Sequence, residues 1–568
     1  MAVELNTNVL YFGDNLEILR KYIPDNSIDL IYLDPPFNSK KDYNILFKEN
    51  GGIESEAQIH AFSDTWHWTQ AAQDTYHEVV TKGPLKVAKL IDSLRDAIGS
   101  NDIMAYLVMM TIRLTELHRV LKPTGSLYLH CDPTMSHYIK IVLDQIFGPS
   151  NFRNEIVWKR TSAHSSANKA GAVHDIILFY TKGSNFIWNS LYQEYDPLYL
   201  ETFLDEVDEK GRLYKRMDLT GDGVSRGESG KPWRGIDVTA KGRHWAYSLG
   251  TLEQLDKQGK IHWPKKADGM PRLKQYRNDL PGVLLQDVWT DIRPMHNLSS
   301  ERLGYETQKP LALLERIISA SSNKGDVVLD PFCGCGTAVV AAQKLGRKWI
   351  GIDITHLAIN LMRNRLKDSF PRIKFEVIGE PKDLASAKAL AHQDRYQFQY
   401  WAGGLIGARP PGGLKKKGAD QGIDGVIPFI DNPEGKASRV IVQVKSGHIG
   451  VNAVRELTAV AAKEAIGVLI TLEPPTTPMI TEAISTGYYH SQLYDKDYPK
   501  IQILTIEELL QGKMVDMPPQ TQTSIAFPKA PRVKKSPSPQ GNMMYEPSAR
   551  NTPRVAEGTA QLPMTEAE

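Results

Sequence analysis

The sequence predicts an α/β protein built on a parallel or mixed β-sheet that is covered by helices. Short β-rich segments alternate with amphipathic ones, with a strand over Ser27–Asp34, a helix over Ile103–Leu121 and a strand over Ser126–His130. This alternation is typical of adjacent strands whose faces are covered by helices. The length of 568 residues, with 43 Gly and 34 Pro, favours several folded domains over a disordered chain.

Composition excludes several classes of protein. Lys plus Arg (68) nearly balances Asp plus Glu (66), so the net charge of +2 says little about partners until its distribution is known. Three cysteines without a CxxC pair argue against a disulfide scaffold and a structural zinc site. The N-terminal residues do not resemble a signal peptide, and apolar runs such as Ala465–Leu472 are too short to span a bilayer. We therefore expect a cytoplasmic protein that does not contact membranes.

Changes in texture divide the chain into segments. The first αβ pattern becomes irregular in the middle of the chain and then resumes, which predicts an inserted small domain. A second αβ pattern follows, with strands expected over Gly425–Ile430, Arg439–Lys445 and Ile466–Thr471. The last residues are rich in Pro, Ser, Thr and Gln, which is typical of disorder. The expected boundaries are 1–189, 190–299, 300–375, 393–514 and a disordered tail over 515–568.

A glycine-rich turn joins a predicted strand to a predicted helix. It follows the strand Val327–Asp330, opens the helix Thr337–Leu345 and contains Gly334 and Gly336. Glycine allows the sharp turn that such a junction requires. The next strand ends in Asp353, where a carboxylate can accept hydrogen bonds from a ribose. This arrangement predicts a site for a nucleoside-containing cofactor.

A second motif, Asp34-Pro35-Pro36-Phe37, ends the strand Ser27–Asp34. The prolines stiffen the backbone and leave carbonyl oxygens free to accept hydrogen bonds. Asp34 adds a carboxylate acceptor, and Phe37 adds a flat apolar face. Acceptors beside an aromatic ring suit the exocyclic amino group of a base that has been flipped out of its stack. The motif therefore predicts a site that holds an amino nitrogen toward an electrophile.

Together these motifs resemble the β-class amino-methylating DNA methyltransferases, which act on adenine N6 or cytosine N4. In that class the DPPY/F motif comes first, a target-recognition region follows, and FxGxG comes last. The same order occurs here, and the resemblance covers about residues 5–370. Further matching segments are Gly13-Asp14, LKPTGSLYLHCD (121–132), NFRNEIVWKR (151–160) and Thr307-Gln308-Lys309-Pro310.

The resemblance implies a Rossmann-like sheet that binds S-adenosylmethionine. It places Asp353 at the ribose, Asp14 near the adenine, and Asp34 with the Pro35 carbonyl at the target amino group, while Phe37 stacks on the base. Adenine N6 is the favoured target in a restriction-modification setting of bacterial type, and cytosine N4 is the alternative. The other implied cofactor-binding residues are Asp330, Phe332, Gly334, Gly336, Thr337, Thr307, Gln308 and Lys309.

The insertion then becomes a candidate target-recognition region. Its basic residues are interleaved with aromatic ones, a composition that suits phosphate contacts and packing against bases or sugars. The alternative is a small domain with a solvated basic face and an aromatic core, and the sequence does not assign which of these residues read bases. Double-stranded DNA is the expected partner, and a homodimer is left open. The basic residues are Lys231, Arg234, Arg243, Arg272, Lys274 and Arg277, and the aromatic residues are Trp233, Trp245, Trp263 and Tyr276.

A third constellation lies in the C-terminal αβ segment. Asp424 precedes one predicted strand, and Gln443 and Lys445 share a face of the next, because side chains alternate along a strand. With Gln399, these residues resemble the Mrr-like branch of the PD-(D/E)xK restriction-endonuclease fold over about residues 393–510. Mg²⁺ is expected at Asp424 and Gln443 only if this domain is active. Two interpretations stay open: a domain that only binds DNA, and a nuclease in a fused restriction-modification enzyme.

Overall fold

The computed structural model describes most of the chain, but Phe37 and the predicted tail beyond Met517-Pro518-Pro519 lie outside the described residues. No helix in the described ranges is both long and apolar enough to cross a bilayer. The described residues are 4–36, 67–161, 170–193, 206–266, 269–279, 282–295, 307–410, 422–431, 437–462 and 464–519, with a few residues between 195 and 305.

The N-terminal part combines five strands with five helices in the ranges that are described. Polar caps start several of these helices, as at Asn101, whose side chain accepts a hydrogen bond from the Met104 N–H. The elements are β1 (Val9–Phe12), α1 (Asn15–Tyr22), β2 (Ile28–Leu33), α2 (Gln70–Lys82), α3 (Leu85–Ile98), α4 (Asp102–Val120), β3 (Leu121–Cys131), α5 (Ser136–Phe147), β4 (Phe152–Lys159) and β5 (His174–Thr181).

Short strands and an α-helix of nine residues are described in the middle of the chain. These elements are β6 (Tyr192–Gln193), β7 (Glu206–Val207), β8 (Leu213–Asp218), β9 (Thr220–Asp222), β10 (Arg243–Trp245), α6 (Leu249–Lys257), β11 (Ile261–His262), β12 (Arg272–Tyr276), β13 (Val283–Leu284) and β14 (Val288–Trp289).

Longer elements return after residue 310 and continue into the C-terminal region. They are α7 (Leu311–Ser321), β15 (Val327–Asp330), α8 (Thr337–Lys344), β16 (Lys348–Asp353), α9 (His356–Ser369), β17 (Glu376–Ile378), α10 (Leu384–Gln393), α11 (Arg395–Leu405), β18 (Gly425–Ile430), β19 (Ala437–Lys445), α12 (Val451–Ala461), β20 (Ile466–Thr471), α13 (Thr477–Ser485), β21 (Tyr488–Ser491), β22 (Lys496–Pro499), β23 (Ile501–Thr505) and α14 (Ile506–Leu510).

A nine-stranded mixed sheet organises the larger part of the molecule. Its order is β14-β4-β5-β3-β2-β15-β16-β1-β17. The five pairings from β3 through β17 are parallel, whereas β5 is antiparallel to β3 and β4. Residues 288–289, which the sequence placed in the insertion, form an edge strand of this sheet. The mixed α/β architecture that the sequence predicted is confirmed.

Both faces of this sheet are buried. Alternating residues of β2 separate into two cores, with Ile31 and Leu33 in one and Leu30 and Tyr32 in the other. Helices α1–α5 contribute to the first core, and α7, α8 and α9 contribute to the second. Because both faces are covered, functional groups on these strands reach the surface at the strand ends.

The C-terminal region has its own four-stranded sheet, with the order β18-β19-β20-β23. Strand β18 is antiparallel to β19, and the other two pairings are parallel. Phe398 and Trp401 of α11 pack on one face, and Val454 and Leu457 of α12 pack on the other. The strands predicted over Gly425–Ile430, Arg439–Lys445 and Ile466–Thr471 are all present.

Residues 192–283 cluster as a separate compact unit. Within it, the antiparallel sheet β11-β12-β8-β7 accompanies a small core that includes Leu219, Val238 and Leu252. Trp233, Trp245 and Tyr276 are only 4%, 1% and 5% exposed. The expectation that these three aromatic side chains contact bases or sugars is therefore wrong, since they are buried inside the unit.

The basic residues of this unit are also partly engaged. Arg234 pairs with Glu253 and Asp256, and Arg243 and Arg272 both pair with Asp218. Lys231 and Arg277 are exposed, as is the face of Trp263, which stacks on Trp233. The residues available for contacts outside the unit are thus fewer than the sequence suggested.

Candidate functional site

Three carboxylates meet at one edge of the nine-stranded sheet. Asp34 follows β2, Asp330 ends β15, and Asp353 ends β16. These strands are neighbours in the order β2-β15-β16 and are parallel, so their carboxyl ends lie side by side. In open α/β sheets this edge is where ligands usually bind. The fold therefore brings together motifs that are about 300 residues apart in the chain.

The glycine-rich turn has a backbone that only glycine adopts readily. Gly334 and Gly336 have φ values of +48° and +76°, and Gly336 caps α8. A Cβ on Gly336 would lie 2.6 Å from Met362 Cγ, and one on Gly334 would lie 3.1 Å from the Tyr305 ring. Met362 and Tyr305 can approach the turn this closely only because both residues lack side chains.

Asp353 is bound into this turn. Its Oδ2 accepts the Gly334 N–H at 2.9 Å, and its Oδ1 accepts the N–H and hydroxyl of Thr355 at 3.0 and 2.9 Å. Burial raises the pKa of Asp353 to about 6, and the hydrogen bonds from Thr355 and Gly334 oppose that rise. Thr355 also caps α9, so the carboxylate, the turn and the helix start form one connected structure.

The neighbouring Asp330 is almost completely buried. Its Oδ1 accepts the Phe332 N–H at 3.1 Å, which fixes the first step of the turn. Burial raises the pKa of Asp330 well above its usual value, and the negative charges of Asp34 and Asp353 raise it further. The site is thus an enclosed acidic edge, which favours a cationic ligand.

Asp34 makes one strong contact and leaves one oxygen unsatisfied. Lys309 Nζ lies 2.5 Å from Asp34 Oδ2, and the two side chains are 12% and 15% exposed. Asp34 Oδ1 is buried and has no hydrogen-bond partner among the described residues. Pro35 is buried and Pro36 is partly exposed. Phe37, the predicted stacking residue, lies outside the described residues.

Several predicted cofactor residues have structural tasks. Asp14 caps α1 through the Leu16 N–H and pairs with the buried Arg113 at 2.6 Å. Gln308 holds its own turn, donating to the Glu301 carbonyl and accepting the Leu303 N–H. Thr307 is exposed, while Thr337 is buried. Phe332 packs partly against the core.

Sequence reasoning missed the residues that brace the turn. Arg365 of α9 is buried and donates to the Cys335 carbonyl at 2.9 Å and to Thr337 Oγ1 at 3.0 Å. Asn15 donates to the Pro331 carbonyl at 2.8 Å and accepts from Arg113. No spacing rule identifies an arginine or asparagine that acts on a loop from a distant helix, so the sequence carried no usable signal.

The C-terminal sheet brings the third constellation together. Asp424 Oδ2 accepts the Val444 N–H at 2.7 Å, so its carboxylate lies against the strand that carries Gln443 and Lys445. Gln443 is 2% exposed, and its Oε1 has no hydrogen-bond partner within the described ranges. Carboxylate and amide oxygens are ligands that suit Mg²⁺. The described residues contain no group of three or more His, Cys, Asp or Glu side chains that could hold a metal.

A small cleft adjoins Asp424 and also contains Gln399. One wall belongs to the C-terminal region and the other to α9, the helix that starts next to Asp353. The residues from α9 are Leu357, Asn360, Leu361 and Asn364, and those from the C-terminal region are Gln399, Tyr400, Gly403, Ala408, Arg409, Pro410 and Asp424.

Comparison with known proteins decides the family. Residues 28–364 match the N6_N4_Mtase family, which is described as DNA methylase, and they contain all three carboxylates of the sheet edge. The chain belongs to this family. Residues 391–497 match the Mrr_cat restriction-endonuclease family, as the resemblance implied. The protein is therefore an S-adenosylmethionine-dependent DNA methyltransferase with an Mrr-like nuclease-like domain.

Curated relatives of this methyltransferase match about three fifths of the chain. The type II methyltransferase M.EcaI of Enterobacter cloacae is 32% identical over 362 residues, which is 64% of this chain and 69% of M.EcaI. The StyLTI Mod subunit of Salmonella typhimurium is 27% identical over 60% of this chain and 50% of that protein. DNA adenine methyltransferase YhdJ of Escherichia coli is 27% identical over 62% of this chain and 81% of that protein.

Proposed function

We propose that this methyltransferase transfers a methyl group to adenine N6 in double-stranded DNA, as part of a restriction-modification system. The observation that carries the proposal is the buried, unpartnered Oδ1 of Asp34 beside the glycine-rich turn. An amino N–H is the donor that such an oxygen lacks. The restriction-modification setting is supported by the name of the type III restriction-modification enzyme StyLTI Mod subunit, and the adenine target by the name of DNA adenine methyltransferase YhdJ.

The residues at the sheet edge fit S-adenosylmethionine. At Gly334 and Gly336 a Cβ would meet the Tyr305 ring and Met362, so this turn keeps its shape only with glycine. Asp353 Oδ2 accepts one hydrogen bond and keeps capacity for a ribose hydroxyl, and the surrounding carboxylates favour a positive sulfonium. The cofactor supplies an electrophilic methyl group, and the protein supplies position and charge.

Asp34 then orients the nucleophile. Its Oδ1 accepts one amino N–H of the flipped base, and this bond turns the nitrogen lone pair toward the methyl carbon. As the N–C bond forms, the C–S bond of the cofactor would break and S-adenosylhomocysteine would leave. The proton of the N–H that Asp34 Oδ1 accepts would pass through this oxygen to water, which leaves a neutral methylamino group. Cytosine N4 presents the same donor and is the competing target, while the separate unit of residues 192–283 is the proposed reader of the DNA sequence.

Nucleoside analysis tests this assignment. DNA treated with the full chain and labelled S-adenosylmethionine is digested and separated, and label in N6-methyladenine is the expected result. Label in N4-methylcytosine would show that the target is cytosine rather than adenine, while the proposed methyl transfer to an amino nitrogen would stand. Absence of label from both nucleosides, with active cofactor-binding protein, would refute the proposed function.

A second function is DNA cleavage by the C-terminal domain. The observation that favours it is the buried, unpartnered Oε1 of Gln443 next to Asp424 and on the same strand as Lys445. Asp424 and Gln443 would hold Mg²⁺, with further ligands from water and the DNA phosphate, and Lys445 would stabilise charge on that phosphate. Unmethylated DNA should be cut in Mg²⁺ and fully methylated DNA should not; intact unmethylated DNA would exclude this function.

A further inference from the structure

The segment that precedes α7 reaches both halves of the methyl-transfer site. Tyr305 lies against Gly334 in the cofactor turn, and Lys309 pairs with Asp34 four residues later. The turn between them is ordered by Gln308, whose backbone N–H donates to the Tyr305 carbonyl and whose side chain is buried. Lys309 is thus delivered to Asp34 by a packed turn.

The two oxygens of Asp34 have different surroundings. Oδ2 accepts from Lys309 Nζ at 2.5 Å, whereas Oδ1 is buried without a partner in the described part of the chain. A carboxylate rotates about its Cβ–Cγ bond, so an ammonium on one oxygen decides where the other oxygen points. The ion pair therefore presents one defined acceptor to an incoming amino group.

Lys309 also influences other acidic side chains near the site. Burial raises the pKa of Asp330 well above its usual value, the Asp34 charge raises it further, and the Lys309 charge opposes both. Lys309 likewise helps to lower the pKa of Asp175, whose His130 partner bonds to Tyr32 on the strand that leads to Asp34. A cation in this position therefore opposes the effect that burial and mutual repulsion have on the pKa of the acids around it.

We propose that Lys309 is a positioning residue for methyl transfer, which holds the Asp34 side chain in place and aims its Oδ1 at the target amino group. This inference rests on the proposed role of Asp34. It differs from the role implied by family resemblance, in which the segment Thr307–Pro310 closes over the methionine end of the cofactor. If Lys309 positions Asp34, its loss should slow the chemical step and leave cofactor affinity unchanged. If Lys309 binds the cofactor, its loss should weaken cofactor affinity and leave the rate of the chemical step unchanged.

Lys309→Met separates these roles in the full chain. Single-turnover methyl transfer to DNA is measured at saturating labelled S-adenosylmethionine, and the cofactor Kd is measured by calorimetry. A mispositioned acceptor predicts a saturated rate lower by about 30- to 100-fold and a Kd within about threefold of wild type. A Kd at least about tenfold higher with an unchanged saturated rate would instead make Lys309 a cofactor contact and overturn the proposal.

Conservative and matched variants complete the test. Lys309→Arg keeps the charge and the donors, so it should restore the saturated rate to within about tenfold of wild type. The control Lys344→Met removes another ion pair, in which Lys344 Nζ lies 2.6 Å from Glu315 Oε1. This variant should transfer methyl groups at the wild-type rate. If Lys309→Met does not fold, Lys309→Gln replaces it: a slow Gln variant beside a fast Arg variant supports the proposal, and equal rates overturn it.

Asp34→Ala distinguishes failure of this inference from failure of the proposed function. If Asp34→Ala transfers methyl groups at the wild-type rate, the function assigned to Asp34 is wrong, and the proposal for Lys309 falls with it. If Asp34→Ala is inactive while Lys309→Met keeps the saturated rate, Asp34 acts without Lys309 and only this inference is refuted.

Discussion

The methyl-transfer site and the nuclease-like site are built in different ways. The first gathers three carboxylates from the ends of adjacent parallel strands and balances them with Lys309. The second has Asp424 beside an amide and a lysine on the neighbouring strand, at a cleft whose far wall is α9. The strand order of the parallel sheet is enough to bring the first site together. The cleft next to the smaller sheet is completed by α9, which belongs to the methyltransferase region.

Helix α9 connects these two regions. It starts at the Thr355 cap that binds Asp353, and its side chains line the cleft near Asp424. The His356 N–H donates to Gln397 Oε1 at 2.7 Å, and Asn360 donates to the Tyr400 carbonyl. The comparison therefore raises a question that variants can answer: whether the two sites work independently although they share this helix.

Asp34→Ala should produce the largest separation between the sites. Loss of the acceptor for the target amine should lower methyl transfer on the order of 10²- to 10³-fold, because the nitrogen is no longer oriented. Cleavage of unmethylated DNA in Mg²⁺ should stay within about twofold of wild type. Both are measured on one preparation, with labelled cofactor and by gel. Retained methyl transfer would remove Asp34 from the chemistry.

Lys445→Ala is the reciprocal experiment. Without the lysine that stabilises charge on the phosphate, cleavage should fall by about 10²-fold or more, and methyl transfer should be unchanged. Lys496→Ala, an exposed lysine on β22, is a matched control and should cut normally. A parallel loss of methyl transfer in Lys445→Ala would show that the two sites are coupled through α9 and would break the comparison.

How far the sequence predicts each site follows from the range of its contacts. Asp34, Asp330 and Asp353 are predictable because strand periodicity and glycine identify the ends of adjacent strands. Lys309 and Asp34 are 275 residues apart, and no periodicity joins them. Arg365 acts on the cofactor turn from a helix in the same way.

For the insertion, the sequence suggested contacts with nucleic acid for aromatic residues that the structure places in a core. Trp233 and Trp245 lie among basic residues in the sequence, which suggested a nucleic-acid surface, yet a unit of about ninety residues needs large side chains for its own core. Composition alone cannot separate an aromatic residue that fills a core from one that faces a ligand. In the C-terminal sheet, by contrast, strand alternation was enough to place Gln443 and Lys445 on one face.

Cofactor affinity should depend on pH through Asp353. Its pKa of about 6 means that acidification below pH 6 neutralises the ribose acceptor, so affinity should fall by up to about tenfold per pH unit. The sign for folding is opposite: the raised pKa means that the folded protein binds this proton more tightly than the unfolded chain does. This group therefore stabilises the fold at low pH, and that contribution is lost as pH rises through 6.

Calorimetric Kd values between pH 5 and 8 test this expectation. Asp353→Asn should bind more weakly and should lose the step near pH 6. A step near pH 6 that persists in Asp353→Asn would assign it to another group. DNA cleavage by the nuclease-like site should show no step near pH 6, since Asp353 lies in the methyltransferase region.

The smallest expected effect concerns the junction itself. Arg409 lines the cleft and pairs with Asp368 of α9 at 3.0 Å, with both side chains about one fifth exposed. A partly exposed pair of this kind contributes about 0.5–1 kcal/mol. A double-mutant cycle with Arg409→Ala and Asp368→Ala, followed by urea unfolding, should give a coupling energy of that size.

Because Asp368 lies near the end of α9, far along the helix from Thr355, methyl transfer should be unaffected. Cleavage should fall by a few fold in Arg409→Ala if the wall formed by α9 must stay against Asp424. A zero coupling energy with normal cleavage would mean that the C-terminal domain needs no support from this helix, and that the two sites are neighbours without being structurally dependent.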